Sequence, residues 1–214
     1  LAVNENVRAW PGGTGGHKLG LNYAPGFLPQ REAAKKGYDQ ILWLLEDRIT
    51  EVGAMNVFVV VKRDDGGELR RRNLAQTLQL TGLPDIDVFT PPLDGTILPG
   101  VTRSSVIELL NAHGSSAASL PGISQKTYVQ ERTITMPEIK SWSDAGRLLE
   151  IFGCGTAVVV APVGRIGYSA WGDEEVVLPE HDGGHGPIGK AVCTRLTDIQ
   201  TGKSQFDGWS VPVA

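Results

Sequence analysis

The grouping of apolar runs and turn signals along this chain predicts an α+β fold. Helices and strands come in uneven blocks, with several strands, a helix, further strands and a closing helix. A doubly wound parallel sheet would need strict alternation. The 214 residues, 41% apolar and 21% charged, match ordinary globular usage and exclude a disordered or collagen-like chain. That length suits one large domain or two small ones. The longest apolar stretches (41–45, 57–61 and 157–163) read as buried strands, far short of the roughly 20 residues a membrane-spanning helix needs.

In chain order, 11–20 (PGGTGGHKLG) is a glycine-rich loop containing one lysine. Residues 29–36 read as a short helix closed by Gly37. ILWLL (41–45) and MNVFVVVK (55–62) read as strands, joined by a short link carrying Thr50, Glu51 and Gly53. The polar stretch 63–85, with Arg70, Arg71 and Arg72 in a row, looks like an insertion. A strand resumes at 87–90. A turn-rich segment then opens into a helix over about 102–113, ended by Gly114 and capped by Thr102 or by a Ser105–Glu108 box. Residues 128–135 alternate loosely as a strand, and Thr135-Met136-Pro137-Glu138 is a cleaner helix start. Strands at 148–152 and 157–163 flank the turn GCGT. A hairpin near Gly167 and Gly172 leads to EEVVLP, and a last helix over about 187–201 is closed by Gly202.

Charge narrows the function classes. With 20 Lys+Arg against 24 Asp+Glu, the formal net charge is −4. That leaves no electrostatic footprint for nucleic acid, and no basic run suits a membrane surface. Cys154 and Cys193 are too far apart for a CxxC motif, and a reducing compartment is the default. The histidines His17, His113, His181 and His185 lack metal-ligand spacing, so no metal site is expected and HDGGH (181–185) reads as a surface loop. The chain opens on Leu1 without a basic-then-apolar leader, so no secretory signal is expected, and the missing initiator Met reads as a fragment or a processed product.

Four features could carry chemistry, each with a plain alternative. Lys18, among glycines that let a ligand approach the backbone, could be a Schiff-base nucleophile or a solvated loop lysine. Glu51 could hold a heteroaromatic nitrogen protonated, or face solvent in a turn. Tyr23 could donate its phenol or fill the core. Gly100-Val101-Thr102, opening a helix, and Gly155-Thr156-Ala157 could cradle anions or be an ordinary cap and β-turn. A P-loop would need Gly-Lys-Ser/Thr, and Leu19 stands where the metal-binding hydroxyl belongs. Together, an amine, an acid, a phenol and two anion nests are what pyridoxal 5′-phosphate (PLP) asks of a protein.

Five colinear motifs then carry a resemblance: VRAWPGGTGGHKLGLNYAP, ITEVGAMNVFVV, TPPLDGTILPGVTR, FGCGTAVVVAPV and GPIGKAVCTRLTDIQTG. Over nearly its whole length the chain resembles branched-chain amino acid aminotransferases, PLP enzymes of fold type IV. The resemblance implies one large PLP-binding domain over 1–214, a mixed β-sheet or pseudo-barrel with flanking helices. It makes Lys18 the Schiff-base lysine and proton shuttle, Glu51 the partner of the pyridine nitrogen and Tyr23 the partner of the phenolic oxygen. Val101, Thr102 and Thr156 would hold the phosphate, and Thr156 and Ala157 the substrate carboxylate. The implied reaction passes the amino group of leucine, isoleucine or valine to 2-oxoglutarate. The family is typically a homodimer, of the cytoplasm or mitochondrial matrix.

Departures from the family pattern add expectations. Its Lys-Leu-Gly-Gly-Asn-Tyr run reads here Lys18-Leu19-Gly20-Leu21-Asn22-Tyr23. Leu21 would exclude a positive φ and add bulk beside the cofactor, narrowing the pocket or shifting it towards D-amino acids or aminodeoxychorismate. Val158 and Ala161 replace the redox CxxC of some members, so no thiol switch is expected. Residues 67–82 have no family counterpart. The family's N-terminal small domain, source of a phosphate-binding arginine, has none here either, and Arg8 is not assumed to replace that arginine. Weak or no transamination is expected of this chain alone, which could be a catalytically impaired homologue.

Overall fold

Strand β4 (Met55–Lys62) organises the fold, and its burial explains its unbroken apolar run. Successive side chains of a strand point to opposite faces. Val57, Val59 and Val61 enter one apolar core while Phe58 and Val60 enter another. A strand covered on both faces has no solvent side to encode. In this computed structural model, residues 1–64, 84–172 and 174–211 are described. The expected insertion at 67–82 lies outside them.

Among the described residues the main sheet has eight strands. β1 (Ala2–Val3) runs parallel to β2 (Leu42–Leu45), which forms a hairpin with β3 (Arg48–Val52). One edge of β4 pairs over 56–61 with β7 (Leu148–Gly155), which pairs in turn with β8 (Val159–Pro162). The other edge forks. β3 pairs with its first residues, 55–56, and β5 (Ile86–Thr90) with its last, 59–62. β6 (Thr127–Glu131) runs parallel to β5. The parallel and antiparallel pairs make this the mixed sheet of the expected α+β class.

Two helices cover the Phe58 face, α2 (Val101–Gly114) and α4 (Pro187–Gln200), through Val106, Leu110, Ile188 and Val192. Phe58 and Phe152 are opposite cross-strand neighbours whose rings stack at 5.3 Å, a pairing worth about 0.5–1.5 kcal/mol beyond area burial. On the other face lie α3 (Met136–Asp144) and the ribbon β9 (Arg165–Gly167) with β10 (Glu175–Val177). α4 starts on a buried acid. Glu150 accepts hydrogen bonds from Ile188 N at 2.7 Å and Gly189 N at 2.9 Å, satisfying free first-turn amides.

Several boundaries differ from the sequence reading. The link carrying Thr50 and Glu51 is itself β3, because β-branched Ile49, Thr50 and Val52 suit an extended pleat. α1 (Phe27–Lys35) begins two residues early; Pro29 sits in its first turn, where a missing N–H leaves no bond broken. α2 is capped by Gly100 without a side-chain bond, not by Thr102 or a Ser105–Glu108 box. The strand expected at 128–135 ends at Glu131. β7 runs through GCG to Gly155, since Gly153 and Cys154 keep partners on both sides, and the turn falls at 156–158. The Thr135–Glu138 capping box is present.

Candidate functional site

The glycine-rich loop is held by an asparagine the sequence reading passed over. Asn22 is buried. Its Nδ2 donates to the carbonyls of Thr14 at 2.7 Å and His17 at 2.8 Å, and its Oδ1 accepts from Thr14 Oγ1 at 2.7 Å. These bonds fix the backbone immediately before Lys18. The loop packs closely against residues 95–96. A Cβ on Gly15 would lie 2.6 Å from both Ala9 Cβ and the Gly95 carbonyl. Leu21 fits without strain, in a short 3-10 turn (Gly20–Asn22) with no positive φ. Its side chain is exposed and does not line the cavity described below, which corrects the expectation that it narrows the pocket.

The second wall comes from the β3–β4 hairpin. Its turn needs glycine at position 53, where φ is +58° and a Cβ would overlap Gln40. The resulting register sets Val52 opposite Met55 and Glu51 opposite Asn56. Where β3 and β5 part company along β4, the gap is filled by residues 91–100. Their backbone bonds to side chains instead of to a ladder. Leu98 N donates to Glu51 Oε1 at 2.8 Å, and Asn56 Nδ2 donates to the Leu98 carbonyl at 2.9 Å. Glu51, only 2% exposed, also receives Arg8 Nη2 on Oε2 at 2.9 Å. Burial raises the pKa of its carboxyl, opposed by the Arg8 guanidinium and the Leu98 amide. Arg8 Nη1 donates to the Thr96 carbonyl, at 3.2 Å.

The third wall is an anion cradle. Gly100 caps α2 without a side-chain bond, and the first turn carries no acidic residue. Ser104 N is the first amide to bond back, to the Gly100 carbonyl, so the amides of 101–103 are free for a ligand. Val101 is 81% exposed and contributes backbone here, not packing. Arg103 turns away, to Glu131 and the Pro91 carbonyl.

These walls enclose a cavity of about 260 Å³. Lys18, Tyr23, Glu51, Val101, Thr102 and Thr156 all line it, so six residues spread over 139 positions of sequence converge. Ala157 does not line it. It sits in the exposed turn next to Thr156. A larger cavity of about 590 Å³, bordered by Tyr38, Met55 and Arg165, contains none of these residues. Chemistry, not size, therefore marks the site.

The donor set fits PLP. A carboxylate offers about four acceptor positions. Glu51 has filled one on each oxygen, so acceptor positions remain for a protonated ring nitrogen. The free α2 amides suit a phosphate, and Lys18 brings a primary amine to the same space. Cys154, at the cavity floor, is pushed up to about 12 by burial and is a poor nucleophile.

Known proteins resemble this chain in sequence and in fold. The family model described as amino-transferase class IV matches residues 2–166. The mitochondrial branched-chain-amino-acid aminotransferase of Schizosaccharomyces pombe is 44% identical over 97% of this chain, which spans 43% of that protein. Among solved structures, the branched-chain amino acid aminotransferase of Escherichia coli superposes with a TM-score of 0.64 at 23% identity, covering 98% of this chain and 53% of that one. The T.th. branched-chain amino acid aminotransferase complexed with N-(5′-phosphopyridoxyl)-L-glutamate gives 0.62 at 22% identity, covering 98% and 54%. These structures share the fold. The chain spans about half the length of the relatives it matches.

Proposed function

The chain belongs to the class IV aminotransferases, and on that footing we propose that it is the PLP-binding domain, over 1–214, of a branched-chain amino acid aminotransferase. The observation that carries this reading is the convergence of Lys18, Tyr23, Glu51, Val101, Thr102 and Thr156 on one cavity. The reaction moves the amino group of leucine, isoleucine or valine to 2-oxoglutarate. Relatives named mitochondrial and cytosolic support the mitochondrial matrix or the cytoplasm as its compartment. Exposed Trp10, Leu21, Phe27 and Leu28 support a homodimer, offering apolar area for a second copy.

PLP, when bound, supplies an electrophilic aldehyde and a ring that takes up electron density from the substrate Cα. Lys18 Nζ would be the amine that holds the aldehyde and the base that carries the substrate Cα proton. Glu51 would hold the proton on the ring nitrogen, with Arg8 and Leu98 N fixing the carboxylate's orientation. Tyr23 would donate to the phenolic oxygen. The amides of Val101 and Thr102, with the Thr102 and Thr156 hydroxyls, would hold the phosphate, while Thr156 and Ala157, the latter at the turn outside the cavity, would meet the substrate carboxylate. Arg8 serves the acid, not the phosphate.

The test is a half-reaction. The chain should develop a visible absorbance band with PLP that L-leucine bleaches, slowly in this chain alone, and 2-oxoglutarate restores, with D-leucine inert. Response only to a D-amino donor would move the assignment to another fold type IV chemistry. Uptake of PLP without response to any donor would identify the impaired homologue.

A further inference from the structure

The gap in the sheet where β3 and β5 diverge leaves one residue, Leu98, held through both its backbone N–H and its carbonyl. Its N–H goes to Glu51 on β3 and its carbonyl to Asn56 on β4, and those two residues are direct cross-strand neighbours. The same carbonyl accepts from Gly100 N at 2.8 Å, and Gly100 is the cap of α2. Asn56 Oδ1 lies against Gly100 so closely that a Cβ there would be 2.3 Å away. Two residues of chain thus separate the hydrogen-bond partner of the buried acid from the start of the anion-binding helix.

We propose that Asn56 is a positioning residue that couples the two ends of the cofactor site. By holding the Leu98–Gly100 turn against the β3–β4 hairpin, it sets the spacing between the Glu51 carboxylate and the free amides of α2. This rests on the cofactor assignment above, and adds to it a reason for a polar side chain at the mouth of an otherwise apolar strand. Asn56 is only 6% exposed, and its Nδ2 offsets that burial through the bond to the Leu98 carbonyl. A group that held only the phosphate would affect one end of the ligand. Asn56 affects both.

The test uses the full chain with Asn56→Ala, compared with Thr102→Ala, and two probes, PLP and pyridoxal, which lacks the phosphate. Without ligand, hydrogen exchange at the Leu98 and Gly100 amides should quicken about tenfold in Asn56→Ala, the loss of roughly one buried hydrogen bond. Amides of Val59 and Val60 in the sheet centre should keep their protection. With ligand, Asn56→Ala should weaken PLP and pyridoxal alike, each about five- to tenfold, whereas Thr102→Ala should weaken PLP alone. Should Asn56→Ala fail to fold, Asn56→Ser, which keeps a short donor, provides the same comparison. Unchanged exchange at Leu98, or a loss confined to PLP, overturns the proposal. If the unmutated chain takes up neither probe, the cofactor assignment falls, and the exchange measurement alone then decides whether Asn56 fixes the turn.

Discussion

Replacing Arg8 by Met tests the electrostatics of the site directly. The substitution keeps most of the side-chain stem and removes the charge. Arg8 and Glu51 are 5% and 2% exposed and 2.9 Å apart, so the change strands a carboxylate with only the Leu98 amide for company. Removing one partner of a buried pair costs about 3–5 kcal/mol. With a urea m-value of about 1–3 kcal/mol/M, the midpoint should fall by about 1–5 M near neutral pH. The sign with pH follows from burial. A carboxyl whose folded pKa lies above its ordinary 4.5 contributes most stability below that value, and the contribution is lost as pH rises towards the folded pKa. Without Arg8 that window widens upward. The penalty in Arg8→Met should therefore be largest near neutrality and shrink towards about pH 4, where Glu51 is protonated in both states. Adding Glu51→Gln should recover much of the loss. Urea titrations of the single and double variants across this range are the assay. A neutral-pH cost below about 1 kcal/mol, or one independent of pH, would refute the reasoning.

Three further outcomes follow from other contacts. Gly15→Ala forces a methyl against Ala9 and the Gly95 carbonyl; it should lower stability by about 1–3 kcal/mol and weaken PLP uptake, read by thermal melts and by the visible band. Glu150→Gln replaces one of two acceptors at the start of α4 with a donor and should cost about 1–2 kcal/mol near neutrality. Burial raises the Glu150 pKa above its ordinary 4.5, so its contribution is greatest below that value and the difference from glutamine should widen in acid, as melts across pH would reveal. Brief exposure of the folded chain to iodoacetamide should label half-buried Cys193 before Cys154, whose thiol is buried and pushed up to about 12. Peptide mass mapping checks the order, and equal labelling would contradict it.

The sequence carried the parts of this site that chemistry names and missed the parts that geometry names. Lys18 and the Gly100–Thr102 turn stand out because glycine clusters and helix starts have strong local signatures. Arg8, Asn22 and Asn56 have none. Arg8 and Asn56 matter through residues more than 40 positions away, Glu51 and Leu98. One signal for Asn56 was present. A turn of Gly53 and Ala54 between two β runs sets residue 51 opposite 56, placing an acid beside an amide. Reading 46–54 as a link hid it, because a five-residue strand between apolar runs offers too few positions for a clear period. The same locality explains the fold. The Thr135 box and the long apolar β4 were legible, while the forked edge of β4 depends on pairings no short window contains.

Borohydride reduction of the PLP-treated chain, followed by peptide mapping, tests the central claim most directly. Reduction should fix the pyridoxyl label on the peptide containing Lys18, and Lys18→Ala should abolish it. A label spread over surface lysines such as Lys35 and Lys36, unchanged by that substitution, would contradict the account.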